Sequence, residues 1–160
     1  MPSHYSRVQI LLHWVIFGAL MVQFFFHESI SGAWRQIRQG AEPAFDPLVA
    51  LHVFLGLAIL ALVVWRLVLR LTRGAPPLPA EEPAPLKLAA HVTHVMLYLL
   101  MLGLPITGAI AWFGGVVGLG EVHEALFNGL MMFFALHVGG ALYQQFVLKT
   151  NILERMKRSG

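Results

Sequence analysis

The chain reads as an all-α integral membrane protein, a four-helix bundle formed by one domain over residues 1–160, and three observations predict it. It is 58% hydrophobic and only 12% charged, too apolar and charge-poor for a soluble globule. Four apolar stretches, at about 8–26, 48–71, 88–113 and 122–148, each approach the roughly 20 residues that a spanning helix needs. Nine of the eleven Lys and Arg residues fall on one side of those stretches. Helices are what such runs must form where water cannot satisfy the backbone, and a soluble core would need polar outer faces at helical spacing.

The first stretch, Val8 to Phe26, carries no formal charge, and Phe24-Phe25-Phe26-His27-Glu28-Ser29 reads as its end. A loop from His27 to Pro47 follows, with Gly32, Gly40, Pro43 and Pro47 as breakers. The second stretch starts at Leu48 and runs apolar to Leu71, interrupted by Arg66 and Arg70. Arg73 to Pro85 (RGAPPLPAEEPAP) is a Pro-rich hinge, too stiff and polar to be helical. The third stretch has only histidines as strongly ionisable groups, and Trp112 to Gly120 is a short Gly-rich turn into the fourth. Arg7, Arg66, Arg70, Arg73, Lys87, Lys149, Arg155, Lys157 and Arg158 face only Arg35 and Arg38 on the other side, which sets both termini and the middle loop in the cytoplasm. The net charge of +3 is then a topology signal and implies no nucleic-acid partner. No cleavable signal peptide is expected, because the first apolar run is span-length.

Zero cysteines exclude disulfides, iron–sulfur clusters, thiolate ligation and covalent haem attachment. The histidines carry the chemistry. His123 and His137 stand fourteen residues apart, about 40° short of four helical turns, so both face one side of a helix about 21 Å apart along its axis. That span fits within a hydrocarbon core of about 30 Å, and an ionisable group inside a membrane helix marks a functional site by default. The simplest reading is two stacked haems of the non-covalent b type, each taking one axial ligand from this helix. By depth, His13 can meet His137 near the cytoplasmic face, and His52 can meet His123 near the outer one. Gly18, Gly56, Gly139 and Gly140 supply gaps suited to a flat macrocycle or to bare helix packing. Each histidine can instead hydrogen-bond a neighbouring helix. His27, fourteen residues after His13, is a rival to His52.

His91 and His94, three residues apart at the cytoplasmic end of the third span, could bind zinc, a quinone carbonyl or a haem propionate, or relay a proton. Arg66, Arg70 and Arg73 recur at i, i+4, i+7; they read as snorkelling anchors, and Arg66 or Arg70 could also pair with propionates or border a quinone.

The stretches YSRVQILLHW (Tyr5 to Trp14), LHVFLGLAILALVVWRLVLRL (Leu51 to Leu71) and AAHVTHVMLYLLMLGLPITG (Ala89 to Gly108), with the HE…ALH pattern of His123 to His137, together resemble the bacterial cytochrome b561 family over nearly the whole chain. YSR-x-QI-x-x-HW and AH-x-x-H…LP-x-x-G are the specific parts. The resemblance implies a di-haem b cytochrome of the inner membrane that exchanges electrons with ubiquinone. It implies His13 and His137 as axial ligands of the cytoplasmic haem iron, and His52 and His123 of the periplasmic one. A member of that family looks like a superoxide oxidase, passing electrons from periplasmic superoxide to ubiquinone. Against that member, the turn before the fourth span is shorter here, and Gln144 and Gln145 stand where it has histidines.

The expected function is electron transfer across the bilayer between a periplasmic donor, with superoxide a candidate, and the ubiquinone pool. On that reading the chain would be a superoxide:ubiquinone oxidoreductase. Two rivals stand beside it. One is a haem-bearing membrane anchor that relays electrons for a larger oxidoreductase, docked by a periplasmic redox partner on the Trp34-bearing loop. The other is a histidine-based metal or proton transporter, which would be colourless.

Overall fold

The computed structural model of the chain describes residues 4–77 and 83–157, and these fold into five α-helices and one short 3-10 turn, with no strand among the described residues. Helix α1 (Arg7–Phe25) opens with a capping box: the Ser6 hydroxyl accepts from the Gln9 amide, and the Gln9 side chain accepts from the Ser6 amide. These reciprocal bonds satisfy two of the donors that a helix start leaves orphaned. Gln9 is buried and also donates to the Gly74 carbonyl at 3.1 Å, tying the start of α1 to the end of the second spanning helix. That helix, α3 (Pro47–Arg73), starts with the Asp46 carboxylate on the Leu48 amide and proline in its first turn. It stops at Gly74, whose φ of +77° favours glycine. Helix α4 (Ala84–Gly114) holds Pro105 in its interior and ends on left-handed Gly115, and α5 (Gly118–Phe146) follows after three residues. A 3-10 turn, Ile152–Met156, folds back beneath the bundle, where Trp14 donates to the Met156 carbonyl at 2.8 Å.

Helices α1, α3, α4 and α5 are long and apolar enough to cross a membrane. The loop expected from His27 to Pro47 is corrected in its first half, where α2 (His27–Arg38) forms a fifth helix. Gly32 does not break it, because Ile30, Ala33, Trp34 and Ile37 still form an apolar stripe at helical spacing that packs toward the bundle. Ala33 is buried, and the ring of Trp34 lies against Gly120 at the start of α5. Trp34 is therefore seated on its own chain. The expected Gly-rich turn contracts to 115–117, since Gly118 and Gly120 lie inside α5 and α4 begins four residues before the expected 88. Residues 78–82 of the Pro-rich hinge, and Arg158, lie outside the described residues.

The helices neighbour one another in the order α1, α3, α4, α5. Leu12, Ile16, Ile59 and Val63 close the α1–α3 side, and Leu100, Leu104 and Leu130 close the α4–α5 side. The α1 and α5 backbones stand further apart and meet through stacked rings, Phe17 on Phe134 and Phe24 on Phe127. Large apolar side chains such as Leu11, Phe54 and Leu71 point outward, as expected where lipid tails are as apolar as a core.

Candidate functional site

The bundle encloses one continuous cavity of about 1310 Å³ that reaches all four helices and is lined by His13, His137, His52, His123, His94 and His27. That exceeds the roughly 300–1,000 Å³ of a pocket for a single ligand. The imidazoles are grouped at its two ends. At the basic end, where α1 begins and α5 finishes, the rings of His13 and His137 have centroids 6.1 Å apart. At the α2 end, His52 and His123 have centroids 6.3 Å apart.

A metal–imidazole bond of about 2 Å, with the ring radius of roughly 1.2 Å beyond it, puts the centroids of two rings on opposite sides of one metal about 6.3 Å apart. Both pairs match that separation, and neutral imidazole pairs are a donor set that haem iron accepts. Among the described residues no group of three or more His, Cys, Asp or Glu side chains is placed to hold one metal ion, so the closed four-ligand cage of structural zinc is not formed by them. The residues present fit two planar iron macrocycles.

Each ring is held differently. The Nδ1 of His123 lies 2.8 Å from the Leu104 carbonyl. A carbonyl can only accept, so Nδ1 carries the proton and Nε2 keeps its lone pair for a metal. His52 is fixed through its backbone, because the Gln23 amide on α1 donates to its carbonyl at 2.9 Å. Gly56 borders the cavity, and the Nε2 of Gln23 would stand 3.4 Å from a Cβ there. Gly18, Gly139 and Gly140 do face open space, and Gly140 borders the cavity.

His27 lines the same cavity at the α2 end. It donates from Nδ1 to the Phe24 carbonyl at 2.7 Å and stacks between Phe24 and Phe127. The structure also separates His91 from His94: His91 is exposed and away from the cavity, while His94 lies inside it. The His94 ring is 5.1 Å from that of His137, with Nδ1–H bonded to the Ala90 carbonyl at 2.6 Å. Arg66 and Arg70 line the same end. Arg66 donates to the Gln9 carbonyl, and the Arg70 guanidinium lies 5.9 Å over the Tyr98 ring, a cation–π distance. Sequence reasoning missed Gln23 and Gly108, the latter pressed against the His123 ring; the LP-x-x-G motif was the available signal.

Residues 4–159 match the model of the prokaryotic cytochrome b561 family. The chain is 36% identical to a protein named cytochrome b562 from Cereibacter sphaeroides, over 96% of this chain and 95% of that one. It is 30% identical to a probable superoxide oxidase, CybB, of Yersinia pestis, over 98% and 97% of the two chains. It is 24% identical to cytochrome b561 homolog 1 of Escherichia coli K12, over 96% and 97%. The Yersinia alignment runs over 181 residues against the 160 of this chain, so that relative carries insertions absent here. The chain belongs to the prokaryotic cytochrome b561 family: it is a multi-pass bacterial membrane haem protein of electron transport.

Proposed function

We propose that the protein is a di-haem b cytochrome of the inner membrane that moves electrons between a donor at the α2 end and ubiquinone at the basic end. His13 and His137 would hold one haem iron, and His52 and His123 the other. The observation that carries this reading is the pair of imidazole separations, 6.1 and 6.3 Å, at opposite ends of one cavity. When bound, haem supplies a one-electron change at iron, while the protein supplies ligation, orientation and electrostatics.

The residues at the basic end suit a quinone. Reducing a quinone takes up protons, and His94, whose Nδ1–H is committed to Ala90, has a lone pair on Nε2 that can accept a proton and pass it on. Arg66 and Arg70 border the same space and can meet a quinone oxygen or a haem propionate. The excess of Lys and Arg at this end supports a cytoplasmic location for it. The name of the Yersinia relative makes superoxide a donor to test, with Arg35 and Arg38 of α2 as the cations at the opposite mouth of the cavity. The decisive measurement is the haem content of the purified protein by pyridine haemochrome. Two haem b per chain is the expected result, and a ratio near one or zero would sink the reading.

A further inference from the structure

The third spanning helix carries a motif, Leu104-Pro105-Ile106-Thr107-Gly108, that ligation alone leaves unexplained. Pro105 cannot donate, so the Met101 carbonyl loses its helical partner. The Thr107 hydroxyl reaches back to the Gly103 carbonyl at 2.8 Å and the Leu104 carbonyl at 3.0 Å, a back-bond that loosens a helical turn. In this turn the Leu104 carbonyl also accepts from His123 Nδ1 at 2.8 Å, across to α5. The Thr107 hydroxyl also lies 3.4 Å from that nitrogen. Directly beside them, a Cβ on Gly108 would stand 2.9 Å from His123 Cε1 and 3.0 Å from Nδ1. Only glycine admits the ring in this orientation.

We propose that the Leu104–Gly108 turn is a cradle that fixes the tautomer and orientation of His123 and so tunes the potential of the iron that His123 holds. Gly108, Thr107 and the Leu104 carbonyl are positioning groups. The proposal rests on His123 being a haem ligand. Partners of this kind on the far nitrogen set the orientation and basicity of a ligating imidazole. Thr107 acts through its hydroxyl, which shares the Leu104 carbonyl with His123 and itself lies 3.4 Å from Nδ1, so removing it changes the hydrogen bonding of Nδ1–H and with it the donor strength of the imidazole.

The test uses the haem-loaded protein in detergent, with redox titration followed by absorbance and low-spin electron paramagnetic resonance. H123A first identifies which component belongs to this site; if both components survive in it, the ligand reading falls and the cradle with it. G108A is then expected to shift the resonance of that component alone and to weaken its haem retention by roughly 10- to 100-fold. G103A, on the same helix, is the control: its Cβ would meet Leu126 at an ordinary 3.4 Å, and both components should stay as in the parent. T107V should shift the midpoint potential of the His123 component, while T107S should match the parent. Both components unmoved in G108A, or equal potentials in T107V and T107S, would overturn the cradle while leaving the ligand assignment intact. Should G108A fail to accumulate, the Thr107 pair decides alone.

Discussion

Replacing Gly120 with Ala tests how α2 is held over the end of the cavity. The perturbation is one methyl group in the first turn of α5, a change that by itself favours the helix by up to about 1 kcal/mol. At that position a Cβ would overlap the indole edge of Trp34, with Cζ2 at 2.7 Å. Carbon atoms pack at about 3.5–4.0 Å, so the ring must retreat by about 1 Å. Forcing an extra methyl into a packed contact costs about 1–3 kcal/mol. The rest of the attachment is the stack of His27 on Phe24 and Phe127, the buried Ala33, and the surface pair of Arg38 with Glu121 at 3.6 Å, the last worth about 0.2–1 kcal/mol. The net loss should therefore appear as local opening of α2, with the spanning helices intact. Hydrogen–deuterium exchange resolves it: amides in His27–Arg38 should exchange roughly 5- to 150-fold faster, about 1–3 kcal/mol of local stability, and those in α3 and α4 should be unchanged. In a W34A background the same substitution should cost nothing, because the partner is gone. Unchanged α2 exchange in G120A, or an equal effect in both backgrounds, would refute the seating of Trp34 on Gly120.

Three further outcomes follow from the proposed site. H137A should remove the haem at the basic end and H52A the one at the α2 end, each leaving the other's reduced-minus-oxidised spectrum. If H52A keeps both while H27A loses one, the ligand is His27. H94A should slow quinone reduction at least several-fold with both haem spectra intact; unchanged kinetics would remove His94 from the quinone site, and haem loss would make it a ligand. Pulse-generated superoxide should reduce the oxidised protein at a rate that falls modestly from low to high salt, since two exposed cations are screened beyond roughly 8 Å at physiological salt. R35Q/R38Q should lose both the speed and the salt dependence, and slow, salt-insensitive reduction of the parent would exclude superoxide as donor.

The spanning helices were legible because length, apolarity and the sidedness of Lys and Arg act over whole segments. The approach of His13 to His137 and of His52 to His123 was legible too, since depth along a span follows from residue count. What depends on how one helix rotates against another was not legible. Gln23, which bonds the His52 carbonyl and approaches Gly56, gave no signal in the sequence. Trp34 looked available to a partner, yet Gly120 receives it. Helix α2 was hidden because Gly32 reads as a breaker in a short segment, whereas packing of Ala33 and Trp34 on the bundle outweighs the helix propensity that one glycine costs.

The two ends of the cavity differ in what surrounds the imidazoles, and the difference is chemical. At the α2 end each imidazole-bearing residue is fixed by a hydrogen bond from or to another helix: Gln23 on the His52 carbonyl, and the Leu104 carbonyl on His123. The first holds the His52 backbone and leaves its buried Nδ1 without a partner, whereas the second holds the His123 ring itself. At the basic end the pair is neighboured by a third imidazole with an uncommitted Nε2 and by two guanidinium groups along the cavity wall. Those groups can move protons and meet oxygen atoms. On the proposed function, reduction of a quinone at the basic end would consume protons with its electrons, and His94 with the two guanidinium groups would serve that end.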